Sequence, residues 1–201
     1  MQEKGNGVMI SLEGKNAIVT GGGGGMGRCT ALTLAAAGAN LLVSDVNAEA
    51  AESVAREAVE QYGVKAVAIK CNVTVKSEVD AMVELAVKAF GRIDILNHVA
   101  GVFGAVDFMQ STEADYDKQM NINAKGTYLV DQAVLRIMIP NRAGKIVNMC
   151  SQAGKYGFHT NIAYTASKFA VAGMTQSIAQ YAAPYNINVN CVCPGVVRTN
   201  I

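Results

Sequence analysis

The stretch Thr20-Gly21-Gly22-Gly23-Gly24-Gly25-Met26-Gly27, written TGGGGGMG, decides how the chain is read, because five consecutive glycines suit either a slack linker or a turn that holds phosphate. Its surroundings choose between the two. The β-rich run KNAIVT (15–20) precedes it and the helical run MGRCTALTLAAAG follows it. A turn between a first strand and a first helix is where helix N-terminal N–H groups meet a phosphate, and side chains there would block the backbone's approach. Two registers fit, G-x-G-x-x-G at Gly22, Gly24 and Gly27, or T-G-x-x-x-G-x-G at Thr20, Gly21, Gly25 and Gly27. The glycines alone leave both open.

Farther along, the runs NLLVSD (40–45), VKAVAIKC (64–71), RIDILNHV (92–99), GKIVNMC (144–150) and INVNCVC (187–193) alternate with helical patterns at 26–37, 47–62, 76–90, 112–139 and 162–183. Most of the strands are continuously apolar, as strands buried on both faces are. In the third helix Val79, Met82, Val83, Ala86, Val87 and Phe90 form one apolar stripe, with Ser77 or Thr74 as its expected cap. Strand and helix in alternation predict an α/β fold, a Rossmann-like, doubly wound parallel sheet with helices on both faces and ligands beyond the strands' carboxyl ends. No linker or repeat divides the chain, so residues 1–201 are expected to form one dinucleotide-binding domain behind an N-terminal extension, residues 1–13.

Composition agrees. Of 201 residues 51% are hydrophobic and 16% charged, enough for one buried core. The net charge of +1 advertises neither nucleic acid nor an anionic membrane. The N-terminus lacks a signal-like apolar core and no run is long enough to span a membrane, so the cytosol is the expected compartment. Cys29, Cys71, Cys150, Cys191 and Cys193 show no metal-ligand spacing with His98 or His159. They are read as reduced core thiols, and no metal is expected.

Asp45 ends the second strand at about the ~20-residue distance where a dinucleotide fold places the acid for the adenosine ribose. A carboxylate there repels a 2′-phosphate, by ~4 kcal/mol for charges ~4 Å apart at an effective dielectric of ~20, so NAD is expected over NADP. Arg28 is the counter-argument, since it could reach a phosphate. In SQAGKYGFHTNIAYTASKFAV, Tyr164 and Lys168 are four apart and share a helix face. An ammonium nearby stabilises a phenolate and brings its pKa toward neutrality. Ser151, at a strand's carboxyl end, could hold a substrate oxygen beside them.

Together these motifs resemble those of the short-chain dehydrogenases/reductases, from about Leu12 onward. The resemblance rests on Thr20-Gly21-x-x-x-Gly25-Met26-Gly27, Asp45, Ala100-Gly101, Asn123 in INAKG, Ser151, Tyr164, Lys168 and PGVVRT (194–199). It implies the register Gly21, Gly25, Gly27, with Gly22 to Gly24 as variable positions tolerant of small residues. It implies Tyr164 as acid/base, Ser151 as anchor of the substrate oxygen, and Lys168 as the residue that binds the nicotinamide ribose and lowers the tyrosine pKa. Asn123 would hold a water in a proton relay. Pro194, Gly195 and Thr199 would pass under the nicotinamide, and Met26, Asn72, Val73, Ala100 and Gly101 would complete the cofactor site.

The resemblance further implies a small-molecule alcohol or ketone as substrate, a polyol, sugar alcohol or small diol, and a homo-oligomer, commonly a tetramer, through the helices at 112–139 and 162–183. A 3-oxoacyl-carrier-protein reductase is the alternative, as is a catalytically silent nucleotide-binding protein. Two departures fall within the motifs. HVAG (98–101) replaces the family's N-N-A-G, making His98 a structural residue by position, and Asn72-Val73 replaces Asp-Val at the adenine. A third is that the family continues past Ile201. A chain ending there is expected to leave the substrate side open and the sixth strand unpaired, with weak turnover and a tendency to associate, whereas a longer protein of which this is a fragment is expected to be an ordinary enzyme.

Overall fold

The structure, a computed structural model, describes residues 10–197. Six strands alternate with helices: β1 (Asn16–Thr20), α1 (Gly25–Ala36), β2 (Asn40–Asp45), α2 (Ala48–Tyr62), β3 (Ala66–Lys70), α3 (Lys76–Phe90), β4 (Ile95–His98), α4 (Glu113–Gln119), α5 (Gly126–Asn141), β5 (Gly144–Met149), α6 (Ile162–Ala182) and β6 (Ile187–Val192). All pairings are parallel and the strands lie in the order β3-β2-β1-β4-β5-β6. This is the doubly wound arrangement, whose order reverses between β1 and β4 and opens a crevice at their carboxyl ends.

Two-residue alternation sends each strand's side chains to two cores. On one face Ala17, Val19, Leu41 and Val43 pack against Ala31 and Ala35 of α1 and Val54 and Ala58 of α2. On the other, Ile18, Leu42, Leu96 and Ile146, neighbours in the strand register, meet Val79 and Met82 of α3, Val134 and Met138 of α5, and Ala182 of α6. The central strands are therefore apolar on both sides, as their composition predicts. Leu12 joins the first core and donates its N–H to the Ala37 carbonyl at 2.7 Å, so the end of the expected extension belongs to the domain.

Two expectations need correction. The helix expected over 112–139 is continuous from Glu113 to Asn141 but is not α-helical throughout: α4 passes into a π-helical segment, Met120–Lys125, and this into α5. Periodicity hides this because a π turn inserts a single residue without a breaker. The cap of α3 is neither Ser77 nor Thr74 but Val75, without a side-chain hydrogen bond. Thr74 is held instead by Asn72, whose Oδ1 accepts from the Thr74 N–H at 3.0 Å and its hydroxyl at 2.9 Å.

Candidate active site

Gly21 to Gly27 form the turn from β1 into α1. Gly21 has φ +62° and a Cβ there would lie 2.8 Å from the Ala100 backbone; at Gly27 it would lie 1.9 Å from the Gly21 carbonyl oxygen. Both positions exclude any side chain, in agreement with the register Gly21, Gly25, Gly27. The tolerance expected of Gly22 to Gly24 holds only for Gly24, which faces open space. A Cβ at Gly22 would meet Val43 Cγ1 at 2.6 Å, and at Gly23 the Ala50 Cβ at 2.8 Å. Gly22 and Gly23 are packed against β2 and α2, a tertiary fact that spacing does not carry.

The turn fits a pyrophosphate. The N-cap Gly24 offers no side-chain hydrogen bond, and no acidic residue stands in the first turn of α1, so its N–H groups remain available to an anion. Asp45 lies at the same rim, where its Oδ2 accepts from the Gly23 N–H at 3.0 Å and its Oδ1 from the Asn47 N–H at 3.0 Å. Arg28 is withdrawn from phosphate binding by a salt bridge to Glu57, 2.6 Å, on α2. A cleft of about 420 Å³ runs from Gly21, Gly24, Gly25, Met26, Gly27 and Asp45, past Asn72, Val73, Ala100 and Gly101, to Ser151, Tyr164, Lys168, Pro194 and Gly195. The sequence-predicted residues are thus brought together, except Asn123, which is buried and does not line the cleft, and Thr199, which lies outside the described residues. Of Asn72's expected donor and acceptor, the acceptor is already taken by Thr74.

Ser151 follows β5, and its Oγ accepts from the Ala153 N–H at 3.1 Å, which orients the hydroxyl. Burial raises the Tyr164 pKa, and the nearby Ser151 hydroxyl lowers it only in part. The lowering expected from Lys168 is therefore not what the protein's own groups produce. Lys168 Nζ lies 5.7 Å from the Tyr164 ring centroid and donates to the Met149 carbonyl at 2.7 Å. Burial holds this ammonium's pKa down at about 8. Phe103, which sequence reading missed, stacks edge-on to Tyr164 with ring centroids 5.0 Å apart and orients it.

Asn123, in the π segment, is buried and uses its side chain as a clasp. Its Oδ1 accepts from the Val102 N–H at 2.8 Å, and its Nδ2 donates to the Val102 carbonyl at 2.9 Å and to Ser167 Oγ at 3.0 Å. The amide thereby fixes the loop after β4 across the cleft. His98 is buried, with Nδ1 2.8 Å from Thr20 Oγ1, and Thr20 Oγ1 accepts from the Ala100 N–H at 3.2 Å. The Thr20 hydroxyl and Nδ1 share one hydrogen bond, and Nε2 is buried without a partner among the described residues. Burial, then the Lys168 charge, hold the His98 pKa at about 3, so the imidazole is neutral and ties β1 to β4.

The cysteines depart from the expectation of core thiols. All are free, yet Cys29 is exposed, Cys191 and Cys193 are half-buried, and only Cys71 and Cys150 are buried. Among the described residues no helix is long and apolar enough to cross a membrane.

Comparison with known proteins places this geometry. The short chain dehydrogenase family model matches residues 15–201. A 5-keto-D-gluconate 5-reductase of Escherichia coli K12 is 38% identical over 193 residues, 96% of this chain and 76% of the relative. A 3-oxoacyl-[acyl-carrier-protein] reductase of Thermotoga maritima is 38% identical over 190 residues, 94% of this chain and 77% of the relative. The crystal structure of an NAD+-bound xylitol dehydrogenase superposes with a TM-score of 0.89 at 39% identity, covering 92% of this chain and 71% of that one. With its sheet order, glycine turn and cleft residues in agreement with these matches, the chain belongs to the short chain dehydrogenase family.

Proposed function

We propose that the protein is an NAD(H)-dependent oxidoreductase that interconverts a secondary alcohol and its ketone, the substrate being a polyol, sugar alcohol or small diol. The observation that carries this reading is the convergence of Ser151, Tyr164 and Lys168 on the cleft that also holds Asp45 and the glycine turn. The keto-sugar reductase and the xylitol dehydrogenase support the substrate class. Bound NAD supplies the hydride acceptor, or as NADH the donor.

The chain's own residues do the rest. Gly21, Gly25, Met26 and Gly27 receive the pyrophosphate, Asp45 the adenosine ribose, Asn72, Val73, Ala100 and Gly101 the adenosine side, and Pro194, Gly195 and Thr199 the nicotinamide side. Ser151 holds the substrate oxygen within reach of Tyr164. Tyr164 takes the alcohol proton in oxidation and returns it in reduction. Lys168 binds the nicotinamide ribose, and its ammonium opposes the burial that raises the phenol's pKa once a second positive charge lies over the site. Asn123 sets the loop carrying Val102 and serves the proton relay beside Lys168. We place the enzyme in the cytosol as a homo-oligomer, commonly a tetramer; exposed Tyr128 on α5 and Phe169 and Tyr181 on α6 support a subunit interface, and light scattering tests it.

The decisive experiment follows NADH formation by the full-length protein with a panel of polyols and diols, in parallel with Tyr164→Phe. A fall in turnover of about 10²–10⁴ in the variant is the expected result. Equal rates would remove Tyr164 from the acid/base role, no turnover by parent or variant would make the protein a silent nucleotide binder, and a clear preference for NADPH would favour the 3-oxoacyl reductase reading.

A further inference from the structure

Three cysteines far apart in the chain meet where β5 and β6 end. The parallel register pairs Met149 with Val192, and the Cys150 N–H continues it by donating to the Val192 carbonyl at 2.9 Å. Cys150 therefore lies alongside Cys193. Cys191, two residues before Cys193, shares its side of the strand. The three Sγ atoms all lie within 4.8 Å of one another.

We propose that Cys150, Cys191 and Cys193 form a binding site for a single thiophilic d10 cation, with Zn2+ as the reference ion. Zn–S bonds of about 2.3 Å in a tetrahedral shell hold sulfurs about 3.8 Å apart, so small rotations of the side chains bring the observed triangle to bonding distance. Three sulfurs and no carboxylate select zinc or cuprous ion over magnesium or calcium. A disulfide would satisfy two of the sulfurs, and the pair Cys191 and Cys193, on one strand face about 6.6–6.8 Å apart at Cα, sits near the limit of disulfide geometry. A metal ion satisfies all three.

The charge balance favours the ion as well. Binding breaks three S–H bonds, releases three protons to solvent and forms three S–metal bonds, with no change of oxidation state. Three thiolates around a divalent cation carry a net charge of −1. Beside them lies Lys168, whose ammonium has no carboxylate partner among the described residues; the Cys150 thiol donates to the Lys168 carbonyl at 3.3 Å, a bond that the bond to the metal would replace. Cys150 immediately precedes Ser151, and Cys193 immediately precedes Pro194 and Gly195. The ion would thus cross-link the two segments that close one side of the cleft and stiffen them together. The site shares Lys168 with the catalytic reading, but metal binding is read out without turnover.

The test uses the full-length protein, reduced with a phosphine and stripped of metal, titrated with Cd2+ as a spectroscopic stand-in and then with competing Zn2+. Expected are a thiolate-to-cadmium charge-transfer band saturating at one ion per chain, and affinity weakened at least about tenfold, ~1.4 kcal/mol, in Cys191→Ser and in Cys193→Ser but unchanged in Cys29→Ser. The same band and affinity in Cys191→Ser and Cys193→Ser would overturn the site, as would absence of the band in the parent. Should either variant fail to fold, alkylation of the parent decides: Zn2+ is expected to protect Cys191 and Cys193, and undiminished labelling of both overturns the proposal.

Discussion

Gly23 donates its backbone N–H to Asp45 Oδ2 at 3.0 Å, so the phosphate turn and the residue proposed to select the cofactor are one hydrogen-bonded unit. Replacing Asp45 therefore acts twice, on the ribose and on the turn. Asp45→Ala removes a charge-assisted bond worth ~1.5–3 kcal/mol and is expected to weaken NAD binding by roughly ten- to a hundredfold while raising relative use of NADP. Binding titrations of both cofactors check this; unchanged discrimination would remove Asp45 from the selection.

The glycines should separate sharply. Gly27→Ala places a methyl 1.9 Å from a carbonyl oxygen and should cost at least ~1–3 kcal/mol, seen as a lower denaturation midpoint and lost NAD binding. Gly24→Ala meets nothing within 4 Å and should change stability by less than about 1 kcal/mol. Comparable losses in the two variants would contradict the turn geometry.

Tyr164→Phe keeps the ring that stacks on Phe103 and removes only the acidic oxygen. Its kcat should fall by about 10²–10⁴ with stability close to the parent's. A fall confined to KM would give Tyr164 a binding role instead.

His98 and Asp131 should impose opposite pH slopes on stability. The His98 pKa is held at about 3 in the fold, against 6.5 when unfolded, so stability is lost as pH falls from 6.5 toward 3. Burial raises Asp131, which accepts from Asn148 Nδ2 at 2.8 Å, from 3.8 to about 7, so its contribution is full at low pH and is lost as pH rises toward 7. Between pH 4 and 6.5 the two oppose each other. Asp131→Asn should leave melting temperatures that climb with pH and His98→Asn ones that decline, with differences on the order of 5 °C, given roughly 2–4 °C per kcal/mol at this size. Parallel melting curves for the two variants would refute the assignment.

The architecture was legible because the strands are short, apolar and alternate with helices, which calls for a parallel sheet covered on both faces; the strand order was not read from the alternation. The cleft was legible for the same reason: Asp45, Ser151 and Pro194 each stand at a strand's carboxyl end. What escaped were facts of contact between distant segments. Nothing in the spacing of Gly22 reveals Val43 against it, Arg28 gives no sign of Glu57, and Phe103 falls in a loop without periodicity. The expected lowering of the Tyr164 pKa treated the lysine charge without the burial that outweighs it.

The π segment Met120–Lys125 also separates two surfaces that an all-α helix would lock together. One inserted residue turns everything after it by about 100°. Asn123 can then face Val102 while Val130, Val134 and Met138 still face the core. Deleting one residue from the segment would keep the helix continuous yet rotate either the clasp or the core stripe out of place, making this turn a phase-setting device between catalysis and packing.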